Sequence, residues 1–229
     1  MNKKIAPVSS LILMGSIAFW IVFGMEFVLD FWFGVRFPGY DWLQQSISYL
    51  GQEGSPVEAE VRIWGFIFFG LFTLFAIALY LGFRPNKWAV AAAGMIFIYG
   101  LGEGIGSGYF PINPPGTPVT ISSQLHNIFS GIGDAGLILF PFVIMRIYLK
   151  KDHLNFHRYI WIMIFMGVLL AALFLIAKYF QPDNIILYFK GLWQRLYLLN
   201  YYVFLFVISI KNLRNGRPSG SSDDSQTLL

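Results

Sequence analysis

Six stretches of the chain, residues 9–33, 63–83, 88–108, 125–148, 159–180 and 185–210, are apolar almost without a break. About 20 such residues in a helix, rising about 1.5 Å each, reach across the ~30 Å hydrocarbon core of a bilayer. In lipid every backbone N–H and C=O must be satisfied within the protein, so an isolated apolar run of this length becomes a helix. The composition agrees. With 56% hydrophobic, 19% aromatic and 12% charged residues and a mean hydropathy of +0.61, the chain is too apolar for a soluble domain of 229 residues. The expected fold is all-α, a polytopic six-transmembrane-helix bundle over residues 1–211. A disordered cytoplasmic tail is expected at 212–229, which is polar, rich in Gly and Ser, and acidic near its end.

Charge sets the orientation. Lys3 and Lys4, then Arg84 and Lys87, then Arg146, Lys150, Lys151 and Arg158, and finally Lys211, Arg214 and Arg217 make every second connection basic. The alternate connections are acidic or neutral: Asp41, Glu53, Glu58 and Glu60 stand against Arg36 and Arg62 in the first, and residues 109–124 carry no charge. By the positive-inside rule both termini face the cytoplasm, so the net charge of +4 specifies topology and no nucleic-acid partner is implied. Glu26 and Asp30 stand where a signal peptide would need small residues, so the first run is read as an uncleaved helix. The chain has no cysteine, which excludes disulfides, thiolate metal sites and a cysteine nucleophile.

The connections carry their own signals. Ser55-Pro56-Val57-Glu58 reads as a capping box with proline at the first helical position. Pro111, Pro114, Pro115 and Pro118 make residues 109–124 a stiff, lid-like segment, after which Ser122 or Ser123 caps the fourth helix. Residues 224–229 match an acidic dileucine sorting pattern, one short enough to arise by chance.

Ionisable groups at membrane depth are expensive, and here they share one half of the bilayer. Glu26 and Asp30 lie on one face of the first helix, and Glu103 lies near the outer end of the third. His126, Ser130 and Asp134 descend the fourth helix at intervals of four, and Lys190 with Gln194 repeats that spacing in the sixth, beside Arg195 and above Asn200. The inner halves of the spans hold nothing comparable, and the second and fifth runs are apolar enough to suit lipid-facing positions. Two readings compete. Arg195 could pair with Asp134 or Glu103 and simply hold helices together. Alternatively the groups line a polar cavity toward the outer leaflet, which the charge census favours because one arginine cannot neutralise them all.

Within such a cavity Glu26, Glu103 and Asp134 are candidate proton carriers or general acids. His126 sits in the first turn of its helix, where the dipole favours a neutral imidazole able to act as base or hydrogen-bond partner. Catalytic candidates are therefore His126, Asp134 and Glu103; substrate-binding candidates are Arg195, Gln194, Lys190, Ser130 and Glu26. A His126–Ser130–Asp134 triad is disfavoured, because successive turns of one helix do not align nucleophile, base and orienter. A metal is equally poorly served by one histidine among carboxylates, so no metal or other cofactor is expected. His153 and His157 lie among basic residues and read as an interfacial face. Gly100, Gly102, Gly104, Gly106 and Gly108 surround Glu103 without forming a dinucleotide fingerprint. Their spacing permits close helix packing, with Gly131 and Gly133 as a matching thin surface, or a loosened helix that exposes backbone groups to a ligand.

Several of these segments together resemble a known family. Ser46-Ile47-Ser48-Tyr49-Leu50-Gly51, Gly108-Tyr109-Phe110-Pro111, His126-Asn127 and Gly191-Leu192-Trp193-Gln194-Arg195-Leu196 occur in the order found in the bacterial domain of unknown function 998, a family of six-helix membrane proteins. The resemblance runs from about Trp42 to Leu196. It implies a bacterial cytoplasmic (plasma) membrane location and one outward-facing site containing Ser48, Gly51, Pro111, His126 and Arg195. The family pattern often has an acidic residue where Gln194 stands, so one charge of that site is missing here. No reaction comes with the likeness.

The leading expectation is a bundle that binds or processes a lipid or amphiphile headgroup in its outer half. In this reading Arg195 and Lys190 hold an anion, and His126 with Asp134 or Glu103 manages protons; membrane lipids or a small amphiphilic substrate would be the partners. Hydrolysis would need an activated water or nucleophile, and no residue stands out for it. The alternatives are a small proton-coupled transporter, which the apolar inner halves oppose, and a non-catalytic membrane subunit or sensor whose polar cluster is structural.

Overall fold

A computed structural model describes residues 5–180 and 188–215, and no strand occurs among them. Six helices are each long and apolar enough to cross a membrane: α1 (Ile5–Arg36), α2 (Glu58–Phe83), α3 (Ala89–Tyr99, running on through Gly100–Ser107), α4 (Ile121–Ile147), α5 (Leu154–Phe180) and α6 (Lys190–Asn215). The protein is an integral membrane protein. The expected start of the last span at 185–187, the tail from 216 onward and the dileucine pattern lie outside the described residues.

Helices α2 and α5 do not share the lipid-facing role expected of them. α2 packs against α1, α3 and α6 and buries Phe68, Phe72, Phe75 and Leu79 on that side while exposing Ile63, Phe66 and Ile67 on the other, so it is central to the bundle yet keeps a lipid-facing face. α5 is peripheral: it packs mainly on α6 and exposes Trp161, Ile162 and Phe165. Lipid tails and a protein core are about equally apolar, so hydropathy cannot distinguish the two surroundings. In the half of the bundle nearest the start of α1, fully buried Phe19, Phe72, Phe75, Phe140, Phe204 and Tyr202 interlock. The polar contacts there are few and neutral, such as Trp20 Nε1 donating to Ser209 Oγ at 2.8 Å and Asn212 Nδ2 to the Ala78 carbonyl at 2.9 Å.

The other end is built by two connections. Residues 37–57, with a 3-10 turn at Ile47–Tyr49, bury Tyr40, Leu50 and Val57 together with Phe33 in a small core of their own. The expected capping box does not form at the start of α2, whose N-cap Val57 has no side-chain hydrogen bond, and Pro56 lies before the helix. α2 begins at Glu58, Ser55 Oγ accepts from the Val57 N–H, and the Glu58 carboxylate reaches back to the Gly54 N–H. In the proline-rich connection Asn113 Oδ1 accepts from both Thr120 N–H and Thr120 Oγ1. The cap of α4 is Thr120, taking the Ser123 N–H at 3.3 Å, instead of either serine. A backbone bond from Glu53 to the Ile112 carbonyl joins the two connections.

The glycine alternation lies in a π-helical stretch, Gly100–Ser107. A Cβ on Gly104 would lie 2.6 Å from the Gly65 carbonyl oxygen, and one on Gly102 would lie 2.5 Å from that of Phe129 and 2.7 Å from Gly133 Cα. The segment is thus wedged between α2 and α4 with backbone against backbone. Gly131 is not part of this surface, having nothing near its Cβ position. Glu103 lies within this π-helical stretch, an irregularity of a kind often found at functional sites.

Candidate functional site

The connection 37–57 is fastened to α6 through Arg195. Its Nε and Nη2 donate to the two oxygens of Asp30 at 2.8 and 2.7 Å, Nη2 also donates to Tyr40 Oη at 2.7 Å, and Nη1 donates to the carbonyls of Trp42, Gln45 and Gly191 at 2.7–3.0 Å. A guanidinium has five N–H donors, so Arg195 has none to spare. The partner expected for it, Asp134 or Glu103, is not the one found. Tyr40 in turn donates to the Ser46 carbonyl at 3.0 Å; burial pushes its phenol above the usual tyrosine range despite the opposing pull of Arg195, so it remains a donor. Beside this node Gln194 Oε1 accepts the Ile47 N–H at 2.7 Å, and the Leu192 N–H donates to the Leu43 carbonyl. Gly191 is required by this contact, since a Cβ there would lie 2.2 Å from the Gln45 carbonyl oxygen.

Beneath the anchored connection lies a cavity of about 100 Å³, lined by Glu26, Ser48, Gly51, Glu103, His126, Ser130, Asp134 and Gln194 among others. By this measure one water needs about 10–15 Å³, so there is room for several waters or a few heavy atoms of a ligand. Tyr99, Phe68 and Leu198 line it as well, and the Tyr99 and Tyr202 hydroxyls meet at 3.0 Å behind them.

Each lining carboxylate takes one hydrogen bond from a neutral donor. Trp64 Nε1 donates to Glu26 at 2.8 Å, Ser130 Oγ to Glu103 at 2.7 Å, and Tyr197 Oη to Asp134 at 2.6 Å. None of the three forms an ion pair; those among the described residues are Arg36–Glu60, Arg62–Glu58 and Arg195–Asp30. A positive charge does act from nearby. Lys178 of α5, whose Nζ donates to Asn127 Oδ1 at 2.9 Å, attracts both Glu103 and Asp134. No group of three or more His, Cys, Asp or Glu residues among those described could hold a metal ion.

His126 is 3% exposed. Its Nδ1 lies 3.1 Å from the Ser107 carbonyl and 2.8 Å from that of Phe110. Both partners are acceptors, so Nδ1 must carry a proton; in the neutral ring this leaves Nε2 as a lone-pair acceptor. Nε2 is buried and has no partner. The same ring therefore closes the end of the α3 segment and stands among the residues lining the cavity, its Nε2 enclosed without a partner.

Of the residues singled out from sequence, Glu26, Ser48, Glu103, His126, Ser130, Asp134 and Gln194 meet around this space, whereas Arg195 and Lys190 are not among its lining. Asp30 leaves its helix neighbour Glu26 to serve Arg195. Trp64, Tyr197 and Lys178 escaped notice. The first two belong to a type that pairs its polar tip when buried, a signal the sequence does carry; Lys178 stands two residues from the end of an apolar run, where sequence alone does not distinguish a buried lysine from an interfacial one. His157 is buried, its Nε2 bonded to the Tyr148 carbonyl, while His153 is exposed; they form no shared face.

Residues 11–211 match the model of a family described as a protein of unknown function (DUF998), and the chain belongs to that family. No curated protein matches the chain significantly, and neither does any solved structure.

Proposed function

We propose, from the chain's own geometry because its family lends no activity, that the cavity binds the polar headgroup of a membrane amphiphile bearing a hydroxyl or amine. The observation that carries this is the convergence of three carboxylates from α1, α3 and α4 around one cavity, beside His126 and with none of the three in an ion pair. Buried charges that serve only to join helices are expected to pair directly, as Arg195 and Asp30 do; none of these three does, Lys178 acting on Glu103 and Asp134 without a salt bridge. An acceptor-rich wall suits a ligand that donates hydrogen bonds or is cationic. The anion-binding role expected of Arg195 passes to a positioning one, since its donors are spent on the roof of the cavity.

The basic residues Arg84, Lys87, Arg146 and Lys211 gather at the end away from the cavity, which supports an outward-facing site and cytoplasmic termini. A bacterial plasma-membrane setting is part of the same reading. A proton-coupled transporter is the weaker alternative, because the interlocked aromatic side chains beyond Tyr99 and Tyr202 offer no polar route to the other side.

Native mass spectrometry of protein purified in mild detergent tests the proposal. The expected result is a co-purified amphiphile with an uncharged polyol or an amine headgroup, retained by the parent chain and lost from His126→Ala and Glu103→Gln proteins that keep the parent elution profile. Equal retention in parent and variants would refute it, as would recovery of anionic headgroups alone.

A further inference from the structure

The opposite end of the bundle carries a different surface, independent of the cavity. Two adjoining grooves share Asn86 and Lys87. One, of about 490 Å³, lies between the α2–α3 turn and the end of α4 and is lined by Asn86, Lys87, Trp88, Arg146 and Leu149. The other, of about 610 Å³, follows the end of α2 and is lined by Tyr80, Arg84, Pro85, Asn86, Lys87 and Val90.

Three cations therefore line these two adjoining grooves, whose walls hold no carboxylate. Arg84, Lys87 and Arg146 form no ion pair among the described residues, and the nearest acidic residue in sequence, Asp152, lines neither groove. Aromatic rings hold the cations in place. Lys87 Nζ and Arg146 Cζ lie 6.0 and 5.9 Å from the centre of the Trp88 ring, and Arg84 Cζ lies 5.9 Å from that of Tyr80. Apolar surface borders them directly: Val90 is 66% exposed, Leu149 47% and Tyr80 40%.

We infer that these grooves together form a binding site for an anionic phospholipid, its phosphate held by Arg84, Lys87 and Arg146 and its acyl chains lying along Tyr80, Val90 and Leu149. Clustered Lys and Arg at the membrane surface attract anionic headgroups, and an arginine fork matches phosphate geometry. The exposed apolar residues beside the cations favour a lipid over free phosphate, because only a lipid adds acyl contacts along Tyr80 and Val90 to those its phosphate makes.

The test uses the detergent-solubilised full chain and native mass spectrometry with three probes: short-chain phosphatidylglycerol, phosphatidylcholine with the same acyl chains, and inorganic phosphate. Phosphatidylglycerol should bind at least several-fold more tightly than phosphatidylcholine, and inorganic phosphate far more weakly than either. Replacing Arg84, Lys87 and Arg146 with Gln should weaken phosphatidylglycerol binding by about 100-fold, at roughly 1 kcal/mol per basic residue, and leave phosphatidylcholine binding unchanged. If that triple variant does not elute as the parent does, the single Lys87→Gln variant takes its place, with a loss of several-fold expected. Equal binding of the two lipids, undiminished phosphatidylglycerol binding in the variants, or phosphate binding as tight as lipid would each overturn the inference.

Discussion

Arg195 and Asp30 meet through two parallel N–H···O bonds of 2.8 and 2.7 Å, joining α6 to α1 across 165 positions of sequence. Both side chains are largely buried, at 14% and 7% exposure. Removing one partner strands the other. Arg195→Ala should therefore destabilise the protein by about 3–5 kcal/mol, whereas an Arg195→Met, Asp30→Leu double variant should recover much of that loss. Arg195→Lys keeps the charge but cannot reproduce the fork, and falls between them. Denaturant unfolding in detergent measures all three; equal stability of Arg195→Ala and the parent would remove the node from the account.

The glycine wedge makes a contrast within one residue type. Gly65→Ala would place a methyl 2.3 Å from the Gly104 carbonyl oxygen, and Gly102→Ala would place one 2.5 Å from that of Phe129. Both obstacles are backbone and cannot step aside, so each substitution should cost about 1–3 kcal/mol. Gly131→Ala meets nothing within 4 Å and should be neutral or stabilising by up to about 1 kcal/mol. Thermal unfolding of the three variants decides this, and similar shifts in all of them would contradict the packing described.

His126 does two things that substitution can separate. His126→Ala removes the donor from the Ser107 and Phe110 carbonyls and should cost about 1–3 kcal/mol. His126→Asn retains an amide N–H on that side while losing the Nε2 acceptor. It should regain part of the stability without regaining the co-purified amphiphile. Recovery of both together would mean that the ring matters to the ligand only through its structural bond.

Much of this architecture is legible in the amino-acid order, because lipid leaves an apolar run little choice but a helix. Which helix occupies the centre is not legible, since α2 and α5 look alike on a hydropathy scale and differ only in what packs against them. Around the site, four-residue spacing collects His126, Ser130 and Asp134, which line the same cavity. It cannot say that Asp30 turns toward Arg195 while Glu26, one turn away, turns toward Trp64, because each choice depends on a connection folded back from elsewhere. The π-helical stretch is likewise invisible in a glycine pattern that suits ordinary close packing.

The absence of cysteine from the chain makes orientation directly measurable, since any thiol introduced is the only one present. Asn113→Cys lies in the proline-rich connection, Ser48→Cys on the cavity wall and Asn86→Cys in the turn after α2. With a membrane-impermeant maleimide on intact spheroplasts, the Asn113 and Ser48 variants should label, the second more slowly because position 48 borders the cavity enclosed by its own Arg195-anchored connection. The Asn86 variant should label only after permeabilisation. Labelling of Asn86→Cys from outside would invert the topology. A silent Ser48→Cys alongside a reactive Asn113→Cys would mean that the hollow beneath the connection does not communicate with the outside medium.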